Sequence, residues 1–349
     1  MYETDDVTIT TVTSILVITS IVGNSLVCAV IIRHRDMSRH VLDINLALFY
    51  VVHVIHGLLK FGEYCSIPVN FLLANLAIAD IMYALFYIPR IIWGHIASHP
   101  EGLAGRILCA LLTDAALAWV GGASSVFTLV AVATERYYSV LHPLENKAHL
   151  SVRKLKISQC PVLLFFTSLA LSNFIYGLPI FISGSWILAL IMNVPEFWKK
   201  IEGSTCSYAW TKKWMPKAYT LIWRVFFGLS FMLMTGLYSR VIYALWFKNA
   251  SNSKVVNRQK GGVKVRKRVT LMVVAVTAIF GICWGADSVL HVLKYFSSNK
   301  LASSAIPIAH TAVMFNSAVN PFAYALINQR FRKKMKRILF IGNHGCSRQ

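Results

Sequence analysis

Ionisable residues are scarce in this chain, and acids scarcest: 14 Asp and Glu stand against 35 Lys and Arg, while 56% of the 349 residues are hydrophobic. A soluble domain of this length needs a far more polar surface. The composition excludes one and is ordinary for a multi-pass membrane protein, as is the mean hydropathy of +0.57. The seven cysteines are scattered and form no CxxC pair, which excludes a disulfide scaffold. The N-terminus lacks a basic n-region and a small-residue cleavage site, so the first apolar run is expected to stay as a signal anchor. No internal repeat is present, and a single mid-membrane acid offers no ion relay, which disfavours a transporter. A histidine-box oxidase would need HxxxH and HxxHH clusters facing the cytosol, and the 11 histidines supply no such set. No catalytic constellation remains, and no enzyme is expected.

What the chain has is long apolar runs. Stretches able to span at roughly 20 residues each fall at about 9–32, 69–93, 104–139, 156–182, 216–247, 265–296 and 302–327. Seven spans put the termini on opposite sides. About 23 Lys and Arg lie in the loops after spans one, three and five and in the tail, against about 10 in the other loops. The acidic start (Glu3, Asp5, Asp6) is therefore expected outside and the tail inside. The net charge of +21 follows the positive-inside rule and does not indicate nucleic acid.

One segment disturbs this pattern. Residues 39–66 include the apolar run Val41 to Val52 followed by His53 and His56. An eighth span there would reverse every later loop and put the most basic one, Lys248 to Arg268, outside. The segment is therefore read as an atypical insertion in the first cytoplasmic loop, of a kind that a retained intron would produce. Two histidines without further ligands are read as structural.

Polar and proline-containing motifs punctuate the spans in order. They are Gly23-Asn24 in the first; Asn75-Leu76-Ala77-Ile78-Ala79-Asp80 and Pro89 in the second; and Cys109 and Glu135-Arg136-Tyr137 in the third, followed by Val140-Leu141-His142-Pro143-Leu144. Tyr238 follows in the fifth, Phe280 to Trp284 in the sixth, and Asn316-Ser317 with Asn320-Pro321-Phe322-Ala323-Tyr324 in the seventh. A basic amphipathic segment, Gln329 to Arg337, comes next and is expected to lie along the inner membrane surface. From about Ile9 to Phe340 the chain resembles the rhodopsin-like (class A) G-protein-coupled receptors, and most closely their neuropeptide branch.

That resemblance implies an all-α membrane protein: a seven-transmembrane helix bundle, one domain over 1–349, with 1–8 extracellular and 328–349 a short cytoplasmic helix and tail. Asp80 in mid-bilayer must have partners. The resemblance makes Asn24, Asp80, Ser125, Asn316, Ser317 and Asn320 a pocket for sodium as an allosteric modulator, with no other cofactor; the residues alone also fit a hydrogen-bonded polar plug. It implies that Glu135 holds Arg136 at rest, and that Arg136 meets the G protein with Tyr238 and Tyr324 in support. Tyr137, Trp284 and Pro321 belong to the same switch, and Leu144 is the knob that enters the G-protein α-subunit. It also pairs Cys109 with Cys206. Cys28, Cys160 and Cys283 read as small hydrophobes within spans, and Cys346 as a palmitoylation candidate.

Several departures stand out. Ser230 and Ala286 replace the prolines of spans five and six, so Gly285 or a local bulge is expected to supply flexibility. The fourth span, as bounded above, lacks its usual Trp and has Pro161 nearby. Cys109 lies two residues farther from Arg136 than the family norm. Met314 replaces the retinal-binding Lys and Ala118 the amine-binding Asp, which disfavours those ligands. The second outer loop reads as long, and the outer surface as cationic and aromatic, with Lys199, Lys200, Lys212, Lys213, Lys217, Lys294 and Lys300 beside Trp93, Trp198, Trp210 and Trp214. Asp114, Trp284, His291 and Lys294 are the expected ligand-facing residues. The expected function is reception of an extracellular ligand, a peptide, with nucleotide exchange on a heterotrimeric G protein and arrestin as a further partner, at the plasma membrane. A lipid or small acidic ligand, or a class A-like membrane protein that does not signal, are the alternatives.

Overall fold

The computed structural model describes residues 2–32, 68–93, 102–141, 178–202, 205–248, 257–297, 301–327 and 329–340. The 39–66 insertion, Leu144, Cys160, Cys346 and most of the expected fourth span lie outside them. In order, the helices are α1 (Tyr2–Ile32), α2 (Pro68–Trp93), α3 (Gly102–Leu108), α4 (Ala116–Leu141), α5 (Leu178–Met192), α6 (Met215–Tyr243), α7 (Asn257–Phe296), α8 (Ala305–Ile327) and α9 (Gln329–Phe340). Among the described residues, five spans are long and apolar enough to cross a membrane: α1, α2, the α3–α4 unit, α6 and α7. The described part of α5 and the Pro321-containing α8 complete a seven-helix bundle.

Polarity is distributed as lipid requires. Ile15, Ile18, Leu221, Ile222, Met232, Ile282 and Leu326 are exposed, while Asn24, Asn75, Asp80 and Asn320 are buried. Outward apolar side chains add nothing unfavourable in hydrocarbon, whereas inward polar groups must find partners on neighbouring helices. The central element is α4, with 89% of its span's most apolar window buried. Small residues make that possible. A Cβ on Gly121 would lie 2.8 Å from the Ala79 carbonyl and 2.9 Å from the Tyr83 nitrogen, so only glycine lets α4 come this close to the α2 backbone. On the other side of the bundle, Gly23 of α1 admits the Pro321 ring of α8, whose Cγ would be 2.9 Å from an added Cβ.

The two extra residues before Arg136 are absorbed locally. A π-helical turn (Cys109–Thr113) widens the helix, and Asp114–Ala115 then breaks it, with Ala115 at φ 59°. A non-glycine residue in that region is strained, and burial of Ala115 between packed helices holds it there. Cys109 still bonds Cys206, with their Cα atoms 5.8 Å apart.

The fourth span differs from the sequence expectation of 156–182. Helix α5 continues to Met192, and it carries the Trp that the earlier boundary missed: Trp186 Nε1 donates to Asn75 Oδ1 at 3.1 Å. Asn75 Nδ2 donates in turn to Thr128 Oγ1 at 2.8 Å, and Thr128 donates to the Ser124 carbonyl at 2.7 Å, joining α5, α2 and α4. The second outer loop is consequently shorter than expected, residues 193–214. It holds a 3₁₀ turn (Val194–Phe197) and a hairpin of β1 (Lys199–Glu202) and β2 (Thr205–Tyr208), with Lys199 opposite Tyr208 and Ile201 opposite Cys206. No break marks the missing prolines: α7 is continuous through Gly285 and Ala286, and a π turn lies at the end of α6 (Ala244–Lys248).

Trp186→Phe keeps the ring but removes the donor to Asn75. Leaving that buried amide oxygen unsatisfied should cost about 1–3 kcal/mol, read as a lower Tm of the purified protein. Unchanged stability would contradict the position of α5.

Candidate functional site

Three groups of side chains converge at different depths. The outermost lines a cavity of about 260 Å³ beneath the hairpin. Asp114, freed from helical geometry by the break after the π turn, sits between two cations: Arg90 of α2 at 2.5 Å and Lys199 of β1 at 2.6 Å. Lys199 also reaches Glu196 at 3.2 Å and lies over the Tyr208 ring, 3.1 Å from its centroid. The Tyr208 hydroxyl donates to Glu196 at 2.7 Å. Burial pushes the Tyr208 phenol well above its ordinary value, and the adjacent Glu196 carboxylate adds to the shift, so the hydroxyl remains a donor. Lys199 is therefore buried structure and not part of an exposed cationic surface, as the sequence had it; Lys212, Lys213, Lys217 and Lys294 do stay exposed or partly so.

A second ion pair faces the first. Arg224 of α6 donates to Asp287 Oδ2 of α7 at 2.7 Å and to Ser288 at 3.1 Å. Trp284 closes the floor, stacked on Trp223 at 6.2 Å and 13° and meeting Trp119 edge-on. All four expected ligand-facing residues, Asp114, Trp284, His291 and Lys294, line this cavity. Asp114 is nonetheless committed to its two cations. Lys294, with its ammonium 5.4 Å from the Tyr295 ring centre, has no ion-pair partner among the described residues. Sequence reading missed Arg90, Glu196, Arg224, Asp287 and His310. The signal was present for Arg90, Arg224 and Asp287, since an ionisable residue inside an apolar span marks a site by default.

Deeper, Asp80 is fully buried and accepts hydrogen bonds from Asn320 Nδ2 at 2.7 Å and Ser125 Oγ at 3.2 Å. Asn24 donates to the Ser20 and Ser317 carbonyls at 3.0 Å each. The side-chain oxygens of Asn24, Asn316 and Asn320 have no hydrogen-bond partner among the described residues. Near the inner end, Glu135 holds Arg136 by two bonds of 2.5 Å, to Nε and Nη2. Tyr238 and Tyr324 are buried nearby on α6 and α8 with hydroxyls that bond nothing among the described residues, so neither supports Arg136 in this conformation. Tyr137 packs edge-on against Tyr138. Tyr324 meets Phe331 edge-on, which ties α8 to α9. Arg266 is exposed, Lys267 lies over the Trp246 ring, and Arg268 donates to Gln329 at 2.7 Å.

The chain matches the sequence profile of the 7 transmembrane receptor (rhodopsin family) over residues 50–324. That is most of its length, and the chain belongs to this family. Helix α1 precedes the matched region yet packs into the bundle through Gly23 and Pro321. The chain is similar to the pyroglutamylated RF-amide peptide receptor of Mus musculus, 26% identical over 280 residues, which cover 76% of this chain and 60% of that receptor. The QRFP-like peptide receptor of Branchiostoma floridae is 24% identical over 275 residues, 77% of this chain and 68% of the relative. Galanin receptor type 1 of Mus musculus is 26% identical over 279 residues, 77% of this chain and 71% of the relative. The chain thus spans about 60% of the length of the first of these relatives.

Asp114→Asn should lower thermal stability by about 3 kcal/mol, because it leaves Arg90 without its carboxylate and Lys199 with Glu196 alone. Lys294→Ala, in the same cavity but without an ion pair, should leave Tm unchanged within error.

Proposed function

We propose that the chain is a plasma-membrane receptor, with its N-terminus outside and its tail inside, that binds an extracellular peptide and promotes nucleotide exchange on a heterotrimeric G protein. The observation that carries this reading is the cavity under the hairpin. At about 260 Å³ it lies at the small end of ligand pockets, which run about 300–1,000 Å³, and it suits the end of a chain whose remainder lies over the hairpin and outer loops. Its acids are already matched by cations, and Lys294 is left to meet a carboxylate or carbonyl of the ligand. The names of the similar receptors support a peptide over a lipid acid. A peptide-library screen with calcium and cAMP readouts tests the reading. A saturable peptide response lost in Lys294→Glu is expected; responses only to lipid acids, or none in a nucleotide-exchange assay with purified G proteins, would overturn it. Arrestin is a further partner on this reading.

The inner residues fit the same function. Glu135 restrains Arg136 in the resting state, and Arg136 would turn to the G protein when α7 moves, with Tyr238 and Tyr324 then within its reach. The oxygen-rich set around Asp80 suits a hard cation, and the unpartnered amide oxygens of Asn24, Asn316 and Asn320 are what a sodium ion would use, together with Asp80, Ser125 and Ser317. Sodium should therefore lower agonist affinity, and Asp80→Asn should abolish that dependence in binding assays at varied sodium. An agonist affinity indifferent to sodium in the unmodified receptor would remove the assignment.

Basal activity follows from charge. Where many relatives place an acid that clamps the Arg of the third span, this chain has Arg266, so among the described residues Glu135 alone forms an ion pair with Arg136. Repulsion screened at the wet inner surface is on the order of 1 kcal/mol, roughly a fivefold change in the active fraction. Arg266→Glu should lower ligand-free nucleotide exchange by about that factor and keep the agonist response. Basal exchange no higher than background, and unchanged in Arg266→Glu, would contradict it.

A further inference from the structure

Across the cavity wall, α7 and α8 face each other with three ligand-type side chains. Asp287 and His291 lie one turn apart on α7, and His310 comes from α8. Their candidate ligand atoms all fall within 4.8 Å of one another. His291 Nδ1 is 3.2 Å from Asp287 Oδ1, and His310 Nε2 is 3.9 Å from the same oxygen. The two imidazoles lie nearly parallel, with centroids 5.7 Å apart and planes at 23°. His310 is 5% exposed, and neither of its ring nitrogens has a hydrogen-bond partner among the described residues; nor has Asp287 Oδ1. A buried imidazole whose nitrogens bond nothing among the described residues thus lies near a carboxylate oxygen that His291 also approaches.

The spacing fits a metal. Zinc binds imidazole nitrogen at about 2.0–2.1 Å and carboxylate oxygen at about 2.0–2.2 Å in a tetrahedron, which separates the ligand atoms by about 3.4 Å. The two distances to Asp287 Oδ1 bracket that value, and all three ligand atoms lie within 4.8 Å of one another. We propose that Asp287, His291 and His310 bind one divalent transition-metal ion of the zinc type, with its fourth position open to the ligand cavity. Two nitrogens and one oxygen select against calcium and magnesium, which require oxygen ligands. Arg224 holds the other oxygen of Asp287 at 2.7 Å and orients the carboxylate as an outer partner does. Arg224, Arg90 and Lys294 also place positive charge around the cavity, which lowers affinity for any cation. The bond distance of 2.9 Å between His291 Nδ1 and the Asp287 carbonyl must be exchanged for the metal. A bound ion would join α7 to α8 and present its open position to an incoming peptide carboxylate or imidazole.

The test uses the full chain, purified in detergent without a polyhistidine tag and without peptide or G protein, so that its outcome is independent of the signalling reading. Cobalt(II) should give the visible bands of a tetrahedral site at one equivalent. Zinc should bleach them and magnesium should not, and zinc should raise Tm in a concentration-dependent way. His291→Ala removes a half-buried side chain outside the ion pairs of Arg224 and should weaken cobalt and zinc binding at least tenfold; His310→Ala should do the same. If His310→Ala does not fold, His291→Ala decides alone. Absence of cobalt bands and of a zinc shift in the unmodified chain, thiolate charge-transfer bands abolished by Cys283→Ser, or binding unchanged in His291→Ala would each overturn the proposal.

Discussion

The close approach of α4 to α2 at Gly121 is the contact on which the inner architecture depends. Because no side chain separates the two backbones there, short polar groups on both helices reach across: Ser125 to Asp80, and Thr128 to Asn75. Each is a hydrogen bond that water cannot replace within the bilayer. Together they fix the axial register of α2 on α4, and Trp186 then sets α5 by bonding the same Asn75. Above Gly121, the same approach brings Trp119 edge-on to Tyr83 and beside Trp284. The floor of the outer cavity and the mid-membrane polar set are therefore positioned by one helix pair.

Much of this was legible from sequence because membrane helices announce themselves by length and their polar interruptions by rarity. Asn24, Asp80, Ser125 and Asn320 stood out as polar residues in apolar runs, which must be satisfied by other protein groups; the family resemblance grouped them, and the structure buries all four, with Ser125 and Asn320 bonded to Asp80. The fourth span was misplaced for the converse reason. Between residues 157 and 198 no Lys or Arg interrupts the chain, so hydropathy alone could slide a helix of about 20 residues along that stretch, and the bond that fixes it comes from Asn75, far away in sequence. Lys199 was misread because a lysine in an outer loop is normally wet. The hairpin register, which sets Lys199 opposite Tyr208 and near Glu196, together with Asp114 at 2.6 Å, makes burial of its ammonium tolerable. The break at Asp114–Ala115 was likewise invisible beyond a count of two extra residues, since an alanine gives no hint of a positive φ.

The outer cavity is governed by charge balance at close range. Asp114, Glu196 and Asp287 are each tied to a cation supplied by a different element, so the pairs double as cross-links between α2, the hairpin, α6 and α7. Removing one member of such a pair strands the other in a low-dielectric site, which makes these residues architectural even where they line the cavity. On the proposed reading, selectivity would be left to Lys294, to the aromatic walls and to the His291–His310 pair.

The missing prolines alter how α7 would move. Helix α7 is continuous from Asn257 to Phe296, and with Ala286 in place of a proline the usual cause of a kink there is removed. Its contact with α6 is an aromatic stack in which Phe231 lies against Phe227, and Phe227 against Phe280. The Phe231 ring occupies the notch at Gly281, where an added Cβ would be 2.2 Å from it. Ser230, next to that ring, is buried with its hydroxyl unbonded among the described residues. The same two helices are also joined by the Arg224–Asp287 ion pair and by Trp223 stacked on Trp284, so a displacement of α7 against α6 would have to repack these rings and break that pair. Gly281, filled by the Phe231 ring, is therefore where a side chain would disturb the α6–α7 contact, whereas Gly285 faces open space.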